Sequence, residues 1–143
     1  MKNLLIIGIN GTVGQAVKDF AEKSGYQVFG TTSRENQQSD KLFFLDLLDH
    51  ESISNFKLPT TIDHVLITAG KEPQFNLSQS SEIHVLDMFG VHIIGPILLM
   101  KNLEGKINAG GSVTLISSPA AYKGSYDPSY AAVKGAINAL VRT

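Results

Sequence analysis

The sequence of 143 residues contains no cysteine. Disulfides and thiolate-bound metal centres are therefore excluded. His50, His64 and His84 are scattered without metal-ligand spacing and read as structural or surface residues, so no metal is expected. Charge of one sign is also lacking. A formal net charge of −1 gives no general field to attract nucleic acid or anionic lipid, so any anion site must be local. Long hydrophobic runs are absent as well. In "MKNLLIIGING" the run Leu4–Ile7 meets a glycine with no small-residue cleavage site, which predicts a buried strand rather than a signal peptide. "VHIIGPILLM" is too short for a membrane span and holds His, Gly and Pro, so it reads as core helix. No repeat, linker or low-complexity tract divides the chain. The expectation is a soluble, cytoplasmic protein, one domain over 1–143, without nucleic-acid or membrane partners.

What the sequence does have is alternation. Strands are expected at "NLLIIG" (3–8), "YQVFGT" (26–31), "KLFFLD" (41–46), "DHVLITA" (63–69) and "GSVTLISS" (111–118). Several are continuously apolar, as parallel strands covered on both faces require. Helices are expected at 12–25, with Val13, Val17, Phe20 and Ala21 on one stripe, and more weakly at 49–57. A long helix over 78–105 should bend or break at Gly95-Pro96, and a last one should begin near Asp127-Pro128. Such alternation predicts a doubly wound parallel α/β sheet, with its ligand crevice at the carboxyl ends of the strands.

The first strand-to-helix turn, "IIGINGTVGQAV", places Gly8, Gly11 and Gly14 in G-x-x-G-x-x-G spacing. Gly8 permits a sharp turn, Gly11 lets backbone approach a ligand, and Gly14 lets the helix pack close to the sheet. The free N–H groups of the helix start then suit a pyrophosphate. The spacing differs from the G-x-G-x-x-G of most dinucleotide-binding dehydrogenases and points to another branch. After the second strand, "GTTSRE" has no carboxylate for a ribose 2′-hydroxyl. Instead Ser33 and Arg34 follow, and the guanidinium fork matches a 2′-phosphate, which predicts NADP(H) over NAD(H).

Five landmarks now stand in order: the glycine turn, Asp46 in "FLDL", "TAG" (Thr68–Gly70), Ser117-Ser118, and Tyr130-x-x-x-Lys134. In this order they resemble the short-chain dehydrogenase/reductase family. The resemblance implies a Rossmann-like sheet in which Asn10, Thr12 and Val13 join the three glycines around the cofactor. Asp46 would contact the adenine edge, and Ala69-Gly70 would back the adenosine ribose. Thr31–Arg34 would discriminate the cofactor.

Tyr130 and Lys134 also make chemical sense on their own. An i, i+4 spacing puts both on one helical face, and an ammonium there favours the phenolate. The tuned phenol can exchange a proton with a carbonyl or alcohol oxygen, while a serine hydroxyl holds that oxygen. Ser118 matches the family serine, with Ser117 as the fallback. Lys134 would also bond the nicotinamide ribose.

Two features depart from the family. His92 stands where an Asn is usual behind the lysine; it either substitutes in a proton relay or is a half-buried polar residue on an apolar helix. The chain also stops at Thr143 without a helix-ending Gly or Asn, so it reads as the N-terminal part of a longer reductase, without later strands and a substrate lid. The expected reaction is carbonyl/alcohol interconversion on a small molecule. A non-enzymatic NADP(H)-binding sensor or scaffold is the alternative. The sugar-nucleotide epimerase/dehydratase branch shares the glycine spacing and Tyr-x-x-x-Lys, but "TAG" and the compact spacing favour simple reductases. The faces "VLDMF", "ILLM" and "AINALV" suit a homodimer or homotetramer, though core burial explains them equally.

Overall fold

A computed structural model describes residues 1–143. Five strands, β1 (Asn3–Ile7), β2 (Gln27–Thr32), β3 (Leu42–Phe44), β4 (Ile62–Ile67) and β5 (Ile107–Leu115), form one parallel sheet. Its order is β3-β2-β1-β4-β5, so the direction of winding reverses beside β1, where the two halves part. Helices α1 (Thr12–Lys23), α2 (His50–Asn55), α3 (Glu82–Phe89), α4 (Gly95–Asn102), α5 (Ala120–Lys123) and α6 (Pro128–Leu140) occupy the connections. The doubly wound parallel sheet is thus as expected. Ligands of such sheets bind at the reversal, outside the carboxyl ends of the strands.

β1 shows why its apolar run has no polar alternation. Leu5 and Ile7 point into a core with Phe29, Val65, Ile67, Leu99 and Leu103. Leu4 and Ile6 point the other way, into a second core with Ala21, Val28 and Leu66. A period of two with both faces covered requires every residue to be apolar. β5 differs, because as an edge strand it leaves Ser112 and Thr114 exposed on one face.

Some boundaries moved, for identifiable reasons. β3 ends at Phe44 because the Asp46 N–H donates to Ser52 Oγ (2.9 Å) instead of to a strand. β5 ends at Leu115 because Lys134 Nζ claims the Ile116 carbonyl. A single turn, α5, forms within the loop expected between β5 and the last helix.

The long helix runs over Glu82–Asn102 rather than 78–105, starting where Ser81 Oγ accepts from the His84 N–H. The Gly95-Pro96 defect does not break it. A π-helical turn, Gly90–Ile94, precedes the proline and re-spaces the backbone where a donor is missing. A Cβ on Gly95 would lie 2.5 Å from the Leu47 oxygen, so the helix presses on the loop after β3. By length and composition these 21 residues could cross a membrane. About 33% of their most apolar window is buried, Met88, His92 and Leu99 among it. Of the faces expected to suit a second subunit, Met88, Leu99 and Ile137 lie in the chain's own interior, whereas Leu86, Ile97 and Val141 are exposed, as are Ile83 and Ile94 beside them.

Candidate active site

The glycine turn is shaped by backbone contacts. Gly8 has φ +83, and a Cβ there would stand 2.8 Å from the Ala69 nitrogen. A Cβ on Gly14 would stand 2.6 Å from the Gly8 oxygen, which is closer than real Cβ atoms come. Gly11 is different, since its Cβ would meet only the Gly8 oxygen, at an ordinary 3.5 Å. Nothing inside the protein forbids a side chain at Gly11, so its bareness serves the space outside. Gly11 is also the N-cap of α1, and neither a side-chain cap nor a first-turn carboxylate occupies that helix start. The donors are left for an external anion. The cradle fits the pyrophosphate of a dinucleotide.

From this turn a cleft of about 590 Å³ runs over the strand ends, lined by Gly8, Asn10, Gly11, Ser33, Arg34, Asp46, Ala69 and Gly70 among others. Thr31 and Thr32 are buried at its floor. Thr31 Oγ1 accepts from the Gly8 N–H (3.2 Å), and Thr32 Oγ1 accepts from Asn10 Nδ2 and from the Arg34 N–H (both 3.2 Å). Asn10 Nδ2 also donates to Gln37 Oε1 (3.0 Å), which ties the turn to the segment after β2. Ser33 and Arg34 are exposed at the cleft wall. Asp46 Oδ1 accepts from the Leu48 N–H (2.9 Å), which fixes the carboxylate at the rim. Thr12, on the first turn of α1, is exposed and lies outside the lining.

A smaller cavity of about 120 Å³ adjoins it and shares Thr68, Ala69, Gly70 and Lys71. Its walls include Val13, His92, Ser117, Tyr130 and Lys134. Lys134 is only 5% exposed, and its Nζ donates to the Ile116 oxygen (2.9 Å) while standing 5.3 Å from the centre of the Tyr130 ring. Burial lowers its pKa from the ordinary lysine value, with Glu72 acting in the opposite direction. The i, i+4 spacing therefore does bring phenol and ammonium together. Of the two serines, Ser117 lines this cavity and donates to the Lys134 carbonyl (3.2 Å). Ser118 lies outside the lining, where its Oγ accepts from the Ala120 N–H at the foot of α5 (3.2 Å).

His92 projects from the π-helical turn, edge-on to the Tyr130 ring at 6.1 Å between centroids. Its imidazole fills the space that a Cβ on Gly70 would need, at 2.3 Å from Cε1. A side chain at the glycine of "TAG" would displace this histidine. Nε2 meets the Lys71 backbone, accepting from N–H (3.1 Å) or donating to C=O (3.0 Å) according to tautomer. Burial first, and then the Lys134 charge, push its pKa down to about 4 against the Lys71 carbonyl. At neutral pH it is an uncharged imidazole.

Sequence reasoning missed several residues here. Lys71 and Glu72 line the smaller cavity, and Lys71 Nζ pairs with Asp87. Their position after "TAG" was the available signal. His84 and Asp127 form a buried pair at 2.8 Å. Their separation of 43 positions in the chain hides that contact.

Residues 4–123 match the family described as NAD dependent epimerase/dehydratase. Solved structures agree on the fold. A carbonyl reductase from Pseudomonas aeruginosa PAO1 is 26% identical with a TM-score of 0.83, over 99% of this chain and 75% of its own. A short-chain dehydrogenase/reductase from Burkholderia multivorans with bound NADP is 20% identical (TM-score 0.82, 99% and 71% covered). A Brucella ovis oxidoreductase of the short-chain dehydrogenase/reductase family, with a partially ordered NAD, is 22% identical (TM-score 0.85, 99% and 74% covered). Across such structures the chain spans between 61% and 75% of the neighbour's length. Among proteins with curated functions, none matches the sequence.

Proposed function

This chain belongs to the NAD dependent epimerase/dehydratase family and to the short-chain dehydrogenase/reductases, and we propose that it is an NADP(H)-dependent oxidoreductase interconverting a carbonyl and an alcohol. The observation that carries this reading is the shared wall of the two cavities. The phosphate cradle opens onto one cavity and the Tyr130–Lys134 pair onto the other, and Thr68, Ala69, Gly70 and Lys71 line both. A nicotinamide bound there supplies or accepts a hydride. Tyr130 gives a proton to the carbonyl oxygen in reduction, or takes it from the alcohol in oxidation. Lys134, with its ammonium near the ring, stabilises the phenolate that remains. The serine that orients the reacting oxygen is Ser117 by its place in the cavity, its hydroxyl turning from the Lys134 carbonyl to the substrate, while Ser118 lies outside the lining. Gly8–Gly14 hold the pyrophosphate, Asp46 the adenine edge, and Arg34 the 2′-phosphate that sets NADP(H) above NAD(H). The exposed Ile83, Leu86, Ile94 and Ile97 support association with a second copy, which the mass in solution decides.

The test is NADPH oxidation against a panel of aldehydes and ketones. The Tyr130→Phe variant should lose about 10²–10⁴-fold in turnover with cofactor affinity unchanged. Full activity without the phenol would end the mechanism. The family match favours one second reading, a nucleotide-sugar epimerase or dehydratase. Adding a nucleotide sugar to the panel separates the two by product. Cofactor binding without turnover on any substrate would leave a sensor or scaffold.

A further inference from the structure

Outside the described chemistry, the most completely buried charged group is Asp127, at 0% exposed, and it is in contact with His84, at 5%. One carboxylate here serves three elements. Oδ1 accepts from the Ser129 N–H (3.1 Å), Ser129 Oγ (2.6 Å) and the Tyr130 N–H (3.2 Å), all in the first turn of α6. Oδ2 accepts from the Gln74 N–H (3.1 Å) in the loop after β4, and faces His84 Nε2 (2.8 Å) on α3. A helix cap needs only the first set. The second set reaches across the site's edge.

That reach matters because of where the partners lie. Gln74 follows the Ala69–Glu72 segment that walls the smaller cavity, and Tyr130 is the residue whose N–H the same carboxylate holds. A second strut runs parallel, from the Tyr126 hydroxyl to the Pro73 carbonyl (2.7 Å). Phe75 packs edge-on against the His84 ring at 4.9 Å and closes the pair from the loop side. Burial alone would raise the Asp127 pKa, but hydrogen bonds from Ser129, Gln74, His84 and Tyr130 outweigh it and hold the carboxyl well below the usual range. The anion is therefore permanent at any working pH.

We propose that Asp127 and His84 are positioning residues, which hold the Tyr130 phenol in register with the Ala69–Glu72 wall of the cleft. This rests on the reductase reading for its catalytic consequence, but not for its geometry. A buried anion whose two oxygens are divided between two sides of the site transmits the position of one side to the other. An error of about 1 Å between phenol and reacting oxygen costs on the order of 100-fold in rate.

The discriminating variant is Asp127→Ser. Serine is a good helix cap but is too short to serve the loop and α3 as well. It is compared with His84→Leu, which removes the donor, and His84→Gln, which presents an amide N–H in its place. The Tyr130 ring is read by NMR of ¹³C-tyrosine protein, its resonance identified with Tyr130→Phe. Turnover is measured with NADPH and the best carbonyl of the panel. Asp127→Ser and His84→Leu should shift or broaden the Tyr130 resonance and lower kcat about tenfold or more. KM and NADP(H) affinity should stay within about twofold, and His84→Gln should restore most of the loss. Folded Asp127→Ser protein with kcat and the Tyr130 resonance unchanged would overturn the proposal. So would equal losses in His84→Gln and His84→Leu, and that pair decides alone if Asp127→Ser does not fold. Wild-type protein without any carbonyl turnover would sink the reductase reading instead, while the resonances still decide the positioning.

Discussion

The two ends of the cleft are held by different means. At the β1–α1 end, position comes from backbone pressed on backbone: Gly8 against Ala69, and Gly14 against Gly8 and Ile9. No charged side chain holds the turn itself, and its polar ties are the neutral Thr31, Thr32, Asn10 and Gln37. At the β5–α6 end, position comes from buried polar side chains, with Lys134 on the Ile116 carbonyl, His92 on Lys71, and Asp127 on three elements. A site that binds a fixed scaffold needs only shape. One that moves protons needs charges, and these must be desolvated, paired and steered. The first end should therefore fail sterically, whatever the pH, and the second electrostatically.

The largest effect should come from the steric end. Gly8→Ala combines a positive φ with a backbone clash, costing about 3–5 kcal/mol. Thermal melts should fall at every pH, and cofactor binding should fall with them. A melt within a degree of wild type would break the comparison at its first term. His92→Asn should change the pH dependence only in acid. Because the folded imidazole titrates near 4 and the free one near 6.5, the unfolded chain binds the proton first as pH falls. Stability attributable to neutral His92 is full above 6.5 and is lost as pH falls toward 4, by about 3 kcal/mol. Urea midpoints across that range should flatten in His92→Asn relative to wild type. An unchanged slope would remove His92 from the electrostatic end. The smallest effect belongs to Arg34→Ala, exposed at the cleft wall. NADP(H) should weaken about 10–100-fold by calorimetry, with NAD(H) nearly unaffected. Equal losses would refute the proposed NADP(H) preference and show that the Arg34 charge serves both cofactors alike.

Legibility in the sequence divides along the same line. The glycine turn could be read from spacing, because each glycine answers a local backbone demand. The continuous apolar runs announced a parallel sheet, because coverage on both faces leaves no room for alternation. Tyr130 and Lys134 were legible as a pair because a helix turns one residue into the neighbour of the fourth after it. The serine assignment went less far. "SS" specifies two hydroxyls, and only the capture of the Ile116 carbonyl by Lys134 and the α5 turn give them different surroundings. The π-helical turn was foreshadowed by Gly95-Pro96 only as a bend or break. Its widening came from the missing proline donor, together with the Leu47 loop pressed against the helix.

What the sequence by itself determined is whatever depends on residues near one another in the chain: the strand and helix order, the anion-binding turn, and the phenol–ammonium face. What only the tertiary structure decided depends on distant segments meeting. His92, 22 residues on, lies against Gly70, and Asp127, whose charge its neighbour Ser129 supports first, is also met by Gln74 and His84 from distant segments. Local conformational preferences are written residue by residue. The partner of a buried charge is set by the packing that removes water from both, and no spacing in the chain encodes that.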